Sequence, residues 1–97
     1  MLIEILTFKL AAGADEAAFL ASDQRVQVEF FYQQAGLVRR TTARAADGEW
    51  AVITIWESET VADAALRNSK DDAAHVVLMS FADESSLRLK RLEGLPG

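Results

Sequence analysis

Hydrophobic positions along the chain recur with two periods, and the switches between them divide it into six segments. Residues 2–10, "LIEILTFKL", place Leu2, Leu6, Phe8 and Leu10 on one face of a strand and Ile3 and Ile5 on the other. Apolar residues on both faces predict a strand that is not fully solvated on either side. Over residues 14–35 the period becomes helical. Phe19, Asp23, Val26 and Phe30 share one arc, flanked by Gln27 and Gln34, while Arg25, Glu29 and Tyr32 fall opposite. Gly36 is a suitable stop for that helix. Residues 37–46 and 49–56 predict two strands joined around Asp47-Gly48. A two-residue turn there would pair Ala45 with Trp50 and Thr41 with Thr54, leaving Arg39 opposite Trp56 and Arg40 opposite Ile55. Ser58 can cap a second helix to about Asn68, "SKDD" interrupts it, and Asp72 can cap a shorter helix through Phe81. "SSLRLKRLEGL" then alternates as a last strand.

The order strand, helix, strand, strand, helix in two pieces, strand predicts an α+β fold. It is the ferredoxin-like arrangement, one antiparallel sheet with its helices on one face and a single domain over residues 1–97. The third strand is apolar on both sides, with Trp50, Val52 and Trp56 against Ala51, Ile53 and Ile55. Helices can cover only one of those sides. The other predicts an isologous homodimer, two sheets packed face to face.

Composition narrows the function classes. The 97 residues are 51% hydrophobic and 26% charged, the balance of a globular domain. A net charge of −5 and a pI near 4.7 argue against nucleic acid or an anionic membrane as partner. No apolar run reaches the ~18 residues of a membrane span. The chain opens directly into a strand pattern without a basic leader, so a cytoplasmic protein is expected. The absence of cysteine removes disulfides and thiolate metal sites. No phosphate loop, nucleophile elbow or paired-histidine metal motif occurs.

The Gly36 stop, the Asp47-Gly48-Glu49-Trp50 hairpin and the Trp56-Glu57-Ser58 step into the second helix resemble the antibiotic-biosynthesis-monooxygenase-like domains of the dimeric α/β-barrel superfamily. These motifs are a turn, a cap and packing aromatics, so the resemblance speaks to fold more than to activity. It implies a homodimer and, as one class of activity, cofactor-independent oxidation of small aromatic or polyketide-like substrates, with no cofactor and no metal. The haem-degrading branch of that family uses a histidine, a tryptophan on the second helix and an asparagine on the first strand. These fall on His75, Ala65 and near Leu6, so two of the three are absent and a bare His75 ligand is what remains of haem binding.

Asp23 is the main candidate for chemistry. A carboxylate on the apolar arc of a helix is too costly to be indifferent. It either lines a cavity as a general base for an acidic phenol or enol, or pairs with Arg39 or Arg40 to fix helix to sheet. In the first role Gln27 would orient it, and Phe19, Val26, Phe30 and Trp56 would be the pocket walls. His75, the single histidine, is either an acid–base group or ligand, or a helix surface residue. Arg39 faces away from Arg40 and Arg44, so the three form no single anion site. A non-catalytic ligand-binding or structural dimer is the competing reading.

Overall fold

A computed structural model describes residues 1–97. The elements are β1 (Leu2–Phe8), α1 (Glu16–Glu29), β2 (Leu37–Arg44), β3 (Trp50–Trp56), α2 (Glu59–Ser69), α3 (Ala73–Met79) and β4 (Arg88–Glu93). The four strands form one antiparallel sheet in the order β2-β3-β1-β4, with all three helices on one face. This is the ferredoxin-like α+β fold that the element order predicts. No helix is long and apolar enough to cross a membrane.

Each helix begins where a side chain can satisfy its free N–H groups. Asp15 accepts from the Ala18 N–H, Ser58 from the Val61 N–H and Asp72 from the His75 N–H. The first helix is shorter than its period predicts. It ends at Glu29, and residues Phe31–Gln33 tighten into a 3-10 turn before Gly36. Gly36 has φ of +84°, and a Cβ there would meet Val61 of α2 at 2.7 Å, so both conformation and packing require glycine. Strand β1 also ends early, at Phe8. Leu10 makes only an isolated bridge to Ala82, and α3 stops at Met79 rather than Phe81.

The hairpin differs from its prediction by one residue, with consequences for the site. The Ala45 N–H donates to the Glu49 carbonyl and the Gly48 N–H to the Ala45 carbonyl. The loop is therefore three residues, Ala46-Asp47-Gly48, with Gly48 at φ +88° in the left-handed position that such loops use. Arg44 pairs with Trp50, Arg40 with Thr54 and Arg39 with Ile55. A one-residue slip exchanges the faces of a strand. Arg40, expected opposite Ile55, instead lies beside Thr54 on the side that the helices cover.

The core is divided. One buried cluster joins Phe8, Phe19, Val26, Phe30, Trp50, Val52 and the inner face of α3. A smaller one joins Leu2, Trp56, Ala62 and Ala65. Phe31 packs against both.

Candidate functional site

A cavity of about 200 Å³ lies between α2, α3 and the sheet and is bordered by residues of both clusters. Its origin is legible in α2. The inward positions of that helix are Ala62, Ala65 and Ser69, too short to reach the strands beneath. Bulky side chains supply the other walls: Leu6, Phe8, Phe30, Phe31, Val52, Trp56 and Leu78. Leu66 of α2 and Leu89 of β4 also border it and are about half exposed, which places its mouth between those two elements. Apolar walls around a few polar groups are the usual make-up of a small-molecule site.

The floor is polar and runs straight across the sheet. Arg40, Thr54, Glu4 and Arg91 are successive cross-strand neighbours on β2, β3, β1 and β4. The first three line the cavity. Arg40 is anchored from above by α1: its side chain, 1% exposed, donates to Asp23 Oδ1 at 2.7 Å and to Gln27 Oε1 at 2.9 Å. The Thr42 hydroxyl donates to the other Asp23 oxygen at 2.7 Å. The Arg40 guanidinium also lies 4.4 Å from the centre of the Phe31 ring, a cation–π contact. At the opposite end the Trp56 indole N–H donates to Glu4 at 2.6 Å, and Arg91 donates to Glu4 at 2.9 Å and to Asp63 of α2 at 2.6 Å. Between these two bound groups Thr54 lines the cavity, and its hydroxyl makes no hydrogen bond within the chain.

His75 enters the cavity from the first turn of α3. Its ring packs near Phe30 and Phe31, at centroid distances of 5.7 and 6.1 Å, and its side chain makes no hydrogen bond within the chain. Burial lowers its pKa below the ordinary 6.5. The nearby Asp72 carboxylate opposes that shift and the Arg40 charge adds to it. The imidazole is therefore neutral at pH 7 and able to accept a proton.

These positions revise the site expected from the sequence. Asp23 does not line the cavity. Both its oxygens are engaged, by Arg40 and Thr42, so of its two roles the ion pair is the one found, with Arg40 as partner and not Arg39. Gln27 belongs to the same network, accepting from Arg40 and donating to the Tyr32 hydroxyl at 2.9 Å. Phe19 and Val26 are fully buried in the larger cluster and are not cavity walls, because the cavity lies toward α2 and not beneath α1. Phe30, Trp56 and His75 do line it. Arg44 pairs with Glu16 at the surface, and Arg39 is exposed beside Thr41. The hydrophobic pattern does not single out Glu4, Thr54 or Ser69, which also line the cavity. The only signal for the first two is a polar residue on an otherwise apolar inward row, Leu2-Glu4-Leu6-Phe8 and Trp50-Val52-Thr54-Trp56. No three His, Cys, Asp or Glu side chains converge as a metal site.

No protein-family model matches the chain, and no curated protein does. Solved structures do match. SnoaB, a cofactor-independent oxygenase from Streptomyces nogalater, superposes with a TM-score of 0.81 at 18% identity, over 99% of this chain and 94% of that one. An antibiotic biosynthesis monooxygenase superposes with a TM-score of 0.77 at 13% identity, over 99% and 100% of the two chains. Rv0793 from Mycobacterium tuberculosis does so at 0.71 and 14%, over 99% and 96%. At such identities the likeness is one of backbone. The chain has the α+β, ferredoxin-like fold of the antibiotic-biosynthesis-monooxygenase-like proteins.

Proposed function

We propose that this chain is a cofactor-independent oxygenase that takes a small aromatic or polyketide-like substrate into the cavity between α2, α3 and the sheet. The observation that carries this reading is His75, its imidazole without a hydrogen bond, facing an apolar cavity of about 200 Å³ where burial lowers its pKa. His75 is the proton acceptor. Removing a proton from an activated ring position leaves an electron-rich carbanion, whose electrons reduce dioxygen. A C–O bond forms, the hydroperoxide loses water, and a CH2 group plus O2 becomes a carbonyl plus H2O. Apolar walls favour this step because they keep water from the reactive anion. Asp23 and Gln27, whose direct part in chemistry the sequence had suggested, act here by holding Arg40.

The working form in this proposal is a homodimer. Ile3, Ile5, Ala51, Ile53 and Ile55 occupy the face of the sheet that no helix covers. A second copy of that face is its simplest cover. Light scattering at micromolar concentration tests this, and a monomer would contradict it.

Oxygen uptake tests the chemistry. With an anthrone, a ketone bearing an activated CH2 between two rings, consumption should match quinone formed one to one. His75→Gln should slow it by about 10²-fold or more, the usual worth of a positioned base. An anthrone that binds without oxygen uptake would instead make the protein a ligand-binding member of the same fold.

A further inference from the structure

We propose that Thr54 selects the ligand, by favouring in the cavity aromatic molecules that present a ring hydroxyl or keto oxygen to its side chain. The inference rests on the cavity being the ligand site. It starts from how the polar row is occupied. Arg40 is tied at both terminal nitrogens to α1, and Glu4 has one oxygen on Trp56 and the other on Arg91. Neither can turn toward a ligand without leaving a buried charge unpaired. Arg40 Nε has no partner either but is closed off from the cavity space, whereas Thr54 lies between the two charges in the row and turns an unpartnered hydroxyl to the cavity. The hydroxyl keeps some exposure toward the cavity, so an oxygen on the ligand can reach it and form a hydrogen bond that no group of the chain supplies.

The neighbours also set the polarity of that contact. The Arg40 charge on β2 and the Glu4 charge on β1 make a field along the row that runs from positive to negative across Thr54. A ligand oxygen turned toward Arg40 is favoured by that field, and an apolar ring edge gains nothing from it. An analogue without the oxygen forgoes this hydrogen bond, worth about tenfold in affinity. Trp56, Phe31 and Leu6 then hold the ring itself. Thr54 thus acts on specificity, while the proton is handled by His75.

Fluorescence titration with 1-naphthol and naphthalene, which differ by one hydroxyl, tests this. The unaltered protein should bind 1-naphthol about tenfold more tightly, the worth of one hydrogen bond in a buried site. Thr54→Val keeps the shape of the side chain and should erase the preference while leaving naphthalene binding unchanged. Thr54→Ser should restore most of it. Equal binding of the two probes by the unaltered protein, or a preference that survives Thr54→Val, would overturn the role of Thr54 and leave the cavity reading intact. Ala65→Phe, which fills the cavity from α2, should abolish binding of both probes. If it does not, the ligand site is elsewhere and both readings fall.

Discussion

Two ion-pair networks hold the ends of the same polar row, and they differ in depth. Arg40 and Asp23 join β2 to α1 where side-chain exposures are 1% and 13%. Arg91, Glu4 and Asp63 join β4 and β1 to α2, and there Glu4 is 15% exposed, Arg91 25% and Asp63, at the rim, 45%. The chemistry is alike but the solvent is not. Losing one partner inside leaves a charge that water cannot reach, whereas losing one at the rim lets water take its place.

That contrast can be broken in order of depth. Asp23→Ala should cost about 3–5 kcal/mol in chemical denaturation, because it strands the Arg40 charge. Replacing both partners together, Asp23→Leu with Arg40→Met, should recover most of the loss. A double variant as unstable as the single one would mean that the pair itself, and not the stranded charge, carries the energy. Glu4→Gln comes next, at about 1.5–3 kcal/mol, since the indole of Trp56 and the guanidinium of Arg91 both lose a charged acceptor. Asp63→Ala should cost at most about 1 kcal/mol, and the difference should shrink as salt is added. An Asp63→Ala loss equal to that of Asp23→Ala would erase the distinction between the two networks.

The same difference in depth explains what the sequence made legible. Element order, the caps at Ser58 and Asp72 and the helix stop at Gly36 follow from local rules, and local rules suffice for the fold. Asp23 was also visible, since a carboxylate on the arc of Phe19, Val26 and Phe30 stands out by period alone. Its partner was not settled, because the face that Arg40 occupies depends on whether the Asp47-Gly48 turn has two residues or three. That choice is made by the backbone at Gly48 and leaves no mark on the hydrophobic pattern. The cavity was hidden for another reason. It exists because Ala62, Ala65 and Ser69 are too small to close a gap, and small residues on a helix look the same whether they allow close packing or leave a void.

The smallest predicted effect links the two networks to His75. Arg40 contributes to the lowered pKa of that imidazole, behind burial, whereas neither Arg91 nor Asp63 does. His75 is the only histidine, so its NMR titration gives a single assignable signal. In the unaltered protein the midpoint should lie below the ordinary 6.5. Removing the inner pair, with Asp23→Leu and Arg40→Met, should move it upward, and Asp63→Ala should leave it where it is. The sign carries over to stability. A histidine whose folded-state pKa is depressed binds fewer protons folded than unfolded, so its stabilising contribution is complete above about 6.5 and falls as the pH drops through the window beneath. His75→Gln should flatten the pH dependence of stability in that window alone, since carboxylates titrate lower. An unchanged slope would mean that His75 is hydrated like a surface residue, and with that the neutral base in the cavity would be lost.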